Sequence, residues 1–222
     1  MDATPFFMTL IFQGVLMGSE TRLIKTIVGA GLLMVSHAIH AEGLYVGSTV
    51  SHAEVDYGTA VILSDGATLN DQGSGFKVFG GYQLNTLISF EIHYVDFGEM
   101  SVLMSNGSSV TQGASIVTNN TGVTSSTTVE PTSYGFSAML TLPFDAVKPF
   151  LKVGMHAWDT SRTVGAGSAD VFATTVDGTD FLRAVGFDIP VTEVFSTRLE
   201  YEVYDFDDDN IAMLNWGIFL KF

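Results

Sequence analysis

The segment from Asn215 to Phe222 constrains the fold more than any other part of the chain. It places its apolar and polar residues at opposite parities, with Phe219 as the exception: Trp216, Ile218, Leu220 and Phe222 against Asn215, Gly217 and Lys221. An alternation with a period of two predicts a β-strand that is buried on one face. No polar residue follows Phe222, so we expect an apolar phase to cover the end of this strand.

Similar alternation recurs along the chain and predicts eight strands. We assign them to residues 43–54, 75–84, 87–97, 133–142, 148–158, 180–190, 194–206 and 211–222. Most are close to the 9–11 residues that a tilted transmembrane β-strand requires. The fold class that we predict is all-β, an eight-stranded antiparallel up-and-down transmembrane β-barrel.

The predicted connections alternate between short and long. Turns of a few residues follow the even-numbered strands, and polar segments at 55–74, 98–132 and 159–179, with a brief one at 207–210, follow the odd-numbered strands. Short turns at one end and longer loops at the other are typical of bacterial outer-membrane barrels. Within the second of these segments, residues 101–132 are rich in Ser, Thr, Asn and Gly, and we expect them to be mobile.

Charged residues collect at one parity of several strands. In a narrow barrel this parity faces the lumen, where a charge is costly unless it finds a partner. We therefore predict a lumenal charge network, to which Lys77 is a further candidate: Glu91, His93, Lys152, His156, Arg198, Glu200 and Glu202. The sixth strand is ambiguous, because Arg183 shares its parity with Val185 and Phe187.

The amino-terminal residues have the layout of a secretory signal peptide. Arg22 and Lys25 precede the apolar run 26–35, and Ala38 and Ala41 then resemble a small-residue cleavage motif. We predict a signal peptide at 17–41 and a barrel at 42–222. Residues 1–16 fit neither part and are interpreted as an over-extended start, with Met17 as the natural first residue.

Composition excludes several classes of protein. The net charge is −15, and loss of residues 1–41 would remove two basic and two acidic residues and leave it unchanged. Such an acidic chain is unsuited to binding nucleic acid, because the phosphates of nucleic acid are also negatively charged. It has no Cys, which excludes disulfides and thiolate metal sites. We expect no metal and no cofactor. No apolar run after residue 41 reaches the roughly 18 residues of a transmembrane helix.

Three segments carry a resemblance to a known family. They are GFKVFGGYQLNTLISFEIHYVDFGE, VKPFLKVGMHAWDT and STRLEYEVYDFDDDNIAMLNWGIFLKF. The chain resembles the small OmpA-like eight-stranded outer-membrane barrels of the porin-family β-barrel domain. The resemblance implies a monomer in the outer membrane of a Gram-negative bacterium, surrounded by lipid and lipopolysaccharide. It implies no particular activity.

The same resemblance assigns a role to the last strand. Its pattern of Asn215, Gly217, Leu220 and Phe222 is similar to the signal that the barrel-assembly machinery recognises. The implied partners are that machinery and the periplasmic chaperones that deliver barrels to it. We expect Phe222 to face lipid, and the last strand to pair with the first near residues 45–50.

Two other patterns could carry chemistry. Glu91, His93 and His156 could in principle join a Ser in a hydrolase site, because some outer-membrane barrels deacylate lipid A with a Ser-His-Glu set. However, the two histidines take the lumenal parity, so we predict no catalytic residues. The acidic run 205–210 lacks the pattern of a calcium loop and is interpreted as a solvated loop.

Aromatic residues near strand ends are expected to contribute to girdles at the membrane interfaces. The candidates are Tyr45, Tyr82, Tyr94, Trp158, Tyr201, Tyr204, Trp216 and Phe222. The predicted function is structural, with loops available to host, phage or other surface ligands. The alternatives are a narrow channel for small solutes or ions and a lipid-A-modifying enzyme. A secreted soluble β-barrel or sandwich is the membrane-free alternative.

Overall fold

Eight long antiparallel strands form a closed barrel in the computed structural model, which describes residues 43–167, 169–207 and 209–222, without the side chains of 169–171. The predicted signal peptide and start site therefore lie outside the described residues. The barrel strands, numbered in chain order with five short strands between them, are β1 (Leu44–Asp56), β4 (Gln72–Gln83), β5 (Ile88–Asp96), β9 (Ser125–Thr141), β10 (Lys148–Ala166), β11 (Ala169–Pro190), β12 (Phe195–Phe206) and β13 (Asp209–Lys221).

Each barrel strand pairs with two neighbours, and the sheet closes on itself. The order is β10–β11–β12–β13–β1–β4–β5–β9, and a further β9–β10 pairing completes the ring. The last strand pairs with the first at the expected residues, with Tyr45 opposite Lys221 and Val50 opposite Trp216. The prediction of an eight-stranded antiparallel barrel is thus confirmed. None of the described residues forms a helix that is long and apolar enough to cross a membrane.

Strands β9, β10 and β11 extend further at the long-loop end of the barrel than we predicted from the sequence. Strand β9 begins at Ser125, and β10 and β11 continue to a tight turn near Gly167. The prediction of a polar loop at 159–179 is therefore wrong, because these residues extend the β10–β11 hairpin. This part of β11 contains Thr174, Thr175 and Val176. Such β-branched residues favour strands even where their polarity suggests a loop.

The segment 98–132 is also largely ordered into strands. It contains β6 (Met100–Met104), β7 (Ser109–Gln112), β8 (Ser115–Thr118) and the start of β9. Strand β6 continues the wall beside β9, and β3 (Ala67–Asn70) pairs with β6. A mobile loop was predicted here from composition, and the pairing shows that long-range contacts override that composition.

A second, three-stranded sheet lies over this taller wall. Its order is β2–β7–β8, where β2 is Val61–Leu63. Val110 of this sheet shares an apolar cluster with Val102 and Met104 of β6, two residues on the lumenal parity of the wall. We call β2, β7 and β8 the cap sheet, since they cover the long-loop end of the barrel.

The outer surface of the barrel is apolar across its middle. Side chains that are more than two-fifths exposed and apolar occur on nearly every strand, among them Val50, Phe76, Phe136, Val153, Phe187, Leu199 and Trp216. In water such an area would be unfavourable, whereas in a bilayer it matches the hydrocarbon. The charged parity of the same strands points inward.

Candidate functional site: a filled lumen

The lumen of the barrel is occupied by side chains in three successive layers. Aromatic residues lie at the end with the short turns, charged residues lie in the middle, and a second apolar group lies beneath the cap sheet. An eight-stranded barrel is just wide enough for its own side chains to fill it. The chemistry available to the lumen therefore depends on how these layers are partnered.

Lys152 is at the centre of the charged layer. Its ammonium lies 2.6 Å from Glu91 Oε2 and 3.4 Å from Glu202 Oε1, and it also donates to Glu200 Oε1. Lys77 approaches the same carboxylates from the opposite wall, 2.9 Å from Glu200 Oε2 and 2.6 Å from Glu202 Oε1. All five side chains are fully buried. Two lysines thus share three carboxylates in one connected network.

Arg198 connects this network to the floor of the lumen. Its Nη1 donates to Glu91 Oε1 at 2.5 Å, while Nε and Nη2 donate to the two carboxylate oxygens of Asp188 at 2.7 and 3.0 Å. Two-point pairing of this kind fixes the guanidinium plane as well as its position. Three rings surround it at 4.8–5.0 Å from the guanidinium carbon, those of Phe79, Phe150 and Phe219.

Neutral donors complete the network. The four carboxylates of Glu91, Asp188, Glu200 and Glu202 outnumber the three cations. The Tyr45 hydroxyl donates to Glu91 Oε1 at 2.9 Å. The Tyr204 hydroxyl and the Asn215 amide donate to Glu202 Oε2 at 3.0 and 2.8 Å. These contacts stabilise the excess negative charge of the layer.

The register of the barrel assembles residues that are far apart in sequence. Lys77 and Glu202 are separated by 125 positions, and Arg198 and Glu91 by 107. Glycine opens the space that these long side chains need. A Cβ at Gly81 would overlap the Tyr45 ring, so this position keeps Tyr45 directed at Glu91. The network therefore depends on strand pairing over the whole circumference.

The aromatic floor explains the one residue that broke the alternation of the last strand. Phe219 faces inward, is 2% exposed, and clusters with Tyr45 and Phe79. Its ring lies 5.6 Å from that of Tyr45 and 6.2 Å from that of Phe79. Phe219 is thus one of the apolar side chains that fill the lumen at the end with the short turns. The recess that remains beside it encloses only about 30 Å³.

The apolar layer beneath the cap sheet closes the other end. Trp158, Tyr204 and Phe206 are fully buried and contact Phe97 and Met213. The Phe97 ring packs edge-on against Tyr204 at 5.1 Å and against Phe206 at 5.4 Å. The cavity between this layer and the cap sheet encloses about 20 Å³. That volume suits a single water molecule.

Tyr57 lines the cavity beneath the cap sheet and lies beyond the end of β1. Burial, together with the carboxylates of Asp71 and Asp209, raises the pKa of Tyr57 well above its ordinary value. Its hydroxyl is therefore neutral at physiological pH and presents no charge to the lumen.

The two histidines lie between the charged and apolar layers. Ser133 Oγ lies 2.9 Å from His156 Nδ1, and His156 Nε2 lies 2.9 Å from the carbonyl oxygen of Asp205. Since a carbonyl can only accept, Nε2 carries the proton and Nδ1 accepts from Ser133. His93 packs edge-on against the Tyr204 ring. Neither histidine hydrogen-bonds to the carboxylates of the network.

The Ser133–His156 pair has the first two members of a hydrolytic triad, which the sequence did not reveal. Both side chains are at most 1% exposed. A backbone carbonyl stands where a triad has a carboxylate, and the buried Trp158 and Phe206 lie on the loop side of the pair. A substrate cannot reach the hydroxyl in this arrangement, whereas nucleophilic catalysis requires such access.

The structure places the predicted lumenal residues as follows. Glu91, Lys152, Arg198, Glu200 and Glu202 meet in one network with Lys77. His93 and His156 lie above it. Sequence reasoning missed Asp188, since the parity of the sixth strand was ambiguous. It also missed Tyr45 and Tyr204 as donors, which were assigned with Trp158 to the membrane girdles. That assignment is wrong for these three aromatics, because all three face the lumen.

The terminal strand has both of its predicted faces. Trp216, Ile218, Leu220 and Phe222 are 44–64% exposed on the outer wall. Asn215 is fully buried, where Ser51 Oγ donates to its Oδ1 at 2.5 Å. Gly217 faces Thr49 so closely that a Cβ would overlap the neighbouring backbone. The amide of Phe222 donates to Leu44 O at 2.8 Å, which ties the last residue to β1.

Most described residues of the acidic run 205–210 belong to paired strands, with Asp205 opposite Asn210 and Phe206 opposite Asp209. Asp207 takes a positive φ of 51°, and Asp205 accepts from Arg183 Nη1 at 2.6 Å on the outer wall. Asp209 is buried, which corrects the interpretation of the whole run as solvated. Among the described residues, no group of three or more His, Asp or Glu side chains is arranged to hold a metal ion.

Comparisons with known proteins agree with this architecture. The family described as Outer membrane protein beta-barrel domain matches residues 26–222. A search of curated protein sequences found no match. Among solved structures, Ail, the attachment invasion locus protein of Yersinia pestis, aligns with a TM-score of 0.52 and 12% identity, covering 82% of this chain and 100% of that chain.

Two further structures extend the comparison. Ail of Yersinia pestis in complex with the heparin analogue sucrose octasulfate aligns with a TM-score of 0.51 and 14% identity, covering 82% of this chain and all of that one. Neisserial surface protein A aligns with a TM-score of 0.49 and 19% identity, covering 82% of this chain and 98% of that one. At these identities the Ail structures establish a shared fold.

Proposed function

Because the chain belongs to the outer membrane protein beta-barrel domain family, we propose that it is a non-catalytic, non-conducting scaffold that presents its loop end at the cell surface. The family places it in the outer membrane of a Gram-negative bacterium. Long loops of such barrels face outward and short turns face the periplasm. The cap sheet and the tall β9–β10–β11 wall then project to the exterior.

The filled lumen is the observation that carries this proposal. A conducting pore needs a continuous polar path, and here Phe79, Phe150 and Phe219 enclose Arg198 at one end while Trp158 and Phe206 close the other. Movement of any one charge in the middle layer would leave a buried partner uncompensated. Such a loss costs about 3–5 kcal/mol. The network therefore stabilises a closed barrel.

Single-channel recording in planar bilayers tests this proposal against the narrow-channel alternative. We expect no steady openings from the purified barrel, with a larger porin in the same bilayer as the positive control. Openings whose conductance changes in Arg198→Gln or Glu91→Gln would overturn the scaffold and favour the channel, since both residues lie in the charged layer at the middle of the lumen.

The lipid-A-modifying alternative has its own test. Ser133 is the one serine paired with a histidine by a hydrogen bond among the described side chains. We expect mass spectra of lipid A to be identical in cells that overproduce the protein and in cells that overproduce Ser133→Ala. A new deacylated species that disappears in Ser133→Ala would establish an enzyme.

The remaining partners follow from the same location. We propose that lipopolysaccharide and lipid contact the apolar outer wall, that periplasmic chaperones and the barrel-assembly machinery bind the last strand, and that the closed ring acts as a monomer.

Envelope integrity is measured by the sensitivity of a deletion strain to detergent. Complementation by a variant that retains the barrel but lacks residues 109–118 separates the scaffold from the loop contacts.

The charge of the loop end narrows the ligands that the scaffold suits. Its connections carry Asp65, Asp71 and Glu99, β1 ends there at Asp56, and its basic residues are Arg162 and Arg183. Ail was solved with a sulfated sugar analogue. An acidic loop end repels sulfate groups, so we propose neutral or basic ligands for this chain.

A further inference from the structure

The cap sheet has an unprotected edge. Among the residues that the structure describes, strand β8 pairs with β7 on one side only, because the order of the sheet is β2–β7–β8. An edge strand presents unpaired N–H and C=O groups, and proteins usually protect it with charges, Pro or a bulge. The four residues of β8 read SIVT, and residues 101–129 contain no charged side chain. β8 is short, which limits how far another strand could pair with it, but it contains neither a charge nor a Pro.

This edge is held in place by contacts on both sides of the β7–β8 hairpin. Val110 is 4% exposed in the cluster with Val102 and Met104, and Val117 packs against the same cluster. The Asn119 amide donates to the carbonyl oxygens of Met104 and Val123, both at 2.8 Å. Such anchoring reduces the entropy that the edge would lose on binding.

The outward face of the cap sheet is apolar at both of its outer strands. Ile62, Thr111 and Ile116 lie in one row across the three strands. Ile62 is 64% exposed and Ile116 is 69% exposed. Ile116 lies within the edge strand itself, so a strand that paired with β8 would also cover its side chain.

We propose that β8 (Ser115–Thr118) binds an extended segment of a basic partner protein, which adds as a fourth strand to the cap sheet. Main-chain pairing supplies affinity in this mode, and alternate side chains supply specificity. The preferred segment has an apolar residue opposite Ile116 and basic residues at its flanks. The net negative charge of the loop end attracts those flanks at long range, since residues 101–129 carry no charge and Asp65 lies beside β2, at the opposite edge of the sheet.

Charge argues against a second copy of this chain as the occupant. Two copies would bring together loop ends that are each strongly acidic, and the repulsion is unfavourable at physiological ionic strength. A basic segment meets the same field with the opposite sign. The inference rests on the proposed role of the loop end in surface contacts and names the class of partner.

The test uses the folded barrel in detergent micelles and a fluorescent synthetic peptide, Lys-Lys-Val-Thr-Val-Thr-Val-Lys-Lys. We expect binding by fluorescence anisotropy that is about tenfold weaker for a peptide with N-methylated valines and threonines, which cannot donate main-chain hydrogen bonds on either side of the strand. Replacement of the lysines by glutamates should also weaken binding about tenfold. Equal binding of the N-methylated peptide, or no binding of the parent peptide, would overturn strand addition.

Matched variants locate the site. Ile116→Lys places a charge on the edge strand and is expected to weaken peptide binding about tenfold. Ile62→Lys adds the same charge at an equally exposed position on the far strand, so we expect less than about a twofold change. An equal loss in both variants would assign binding to the sheet face and would overturn the edge site.

Two further measurements distinguish a failure of strand addition from a failure of the scaffold proposal. Both variants should retain the heat-dependent shift in gel mobility of the folded barrel, because both side chains are exposed. Sedimentation of the protein alone should show a monomer, and a dimer lost in Ile116→Lys would reassign the edge to a second copy. Failure of peptide binding with a silent planar bilayer would overturn strand addition and leave the scaffold proposal intact.

Discussion

The charged layer of the lumen and the cap sheet make opposite use of polar residues. In the lumen, Lys77, Lys152 and Arg198 are completely buried, and each contacts two or more carboxylates. In the cap sheet, the strands β2, β7 and β8 contain no charge, and order comes from strand pairing and one small apolar cluster. Ion pairs between distant strands join the lumen, whereas the β7–β8 hairpin and the longer-range pairing of β2 with β7 join the cap sheet.

The charged layer stabilises the barrel, whereas the cap sheet forms part of the surface that is available to ligands. A buried charge that loses its partner destabilises the fold strongly. A change at an exposed position of the cap sheet touches few neighbours and should leave the fold intact. We therefore expect mutations in the lumen to lower the stability of the barrel. We expect mutations at exposed positions of the cap sheet to weaken binding instead.

Arg198→Ala should produce the largest loss. The change leaves Glu91 and Asp188 buried without their cation, and we expect the free energy of unfolding to fall by about 3–5 kcal/mol. Urea unfolding in lipid vesicles, followed by tryptophan fluorescence, measures it. Arg183→Ala is the control, because its pair with Asp205 is more than half exposed on the arginine side and should contribute under about 1 kcal/mol. Similar losses in both variants would contradict a special role for the lumen.

Gly135→Ala should have the next largest effect. A Cβ at this lumenal position would overlap the His93 ring, so the ring or the strand must shift. Overpacking of this kind costs about 1–3 kcal/mol. Gly80→Ala is the matched control, because the nearest atom to its Cβ would be Tyr45 O at 3.9 Å. Equal unfolding free energies for the two variants would show that the lumen tolerates extra volume.

Deletion of Phe222 should impair assembly more than any change in the cap sheet. It removes the amide that donates to Leu44 O and the last aromatic of the outer face. We expect several-fold less folded protein in outer-membrane fractions, measured by heat-modifiable migration on gels. Replacement of residues 109–118 by a Gly-Ser linker provides the comparison. If the linker variant is depleted as strongly, the assembly role of the last strand is not distinctive.

Tyr204→Phe should give the smallest of these effects. It removes one donor to Glu202 Oε2 while Asn215 continues to donate to the same oxygen. A hydrogen bond to a charged group contributes about 1.5–3 kcal/mol, and the remaining donor should reduce the loss to about 1 kcal/mol. Tyr201→Phe, on the outer wall, should leave the free energy of unfolding unchanged in the same assay. If Tyr204→Phe lowered the free energy of unfolding as much as Arg198→Ala, the neutral donors would contribute as much to the stability of the network as the cations do.

Much of the fold could be predicted from the sequence because side-chain direction alternates strictly along a strand. The same alternation placed Glu91, Lys152, Arg198 and Glu202 inside before any pairing was known. Asp188 was missed because Arg183, on the opposite parity of β11, faces outward and obscured the pattern. The strands at 98–132 were missed because they are short, polar and paired with partners that local pattern does not identify.

The sequence by itself determined the barrel, its apolar outer wall, its charged inner parity and the acidic character of the chain, since each depends only on residue type and a period of two. The tertiary structure alone decided which charges meet, because contacts such as Lys77 with Glu202 depend on the closed register across several strands. It also decided that Phe219 and Trp158 seal the lumen and that β8 remains an open edge. Packing and pairing partners are properties of the assembled sheet, and no single segment contains them.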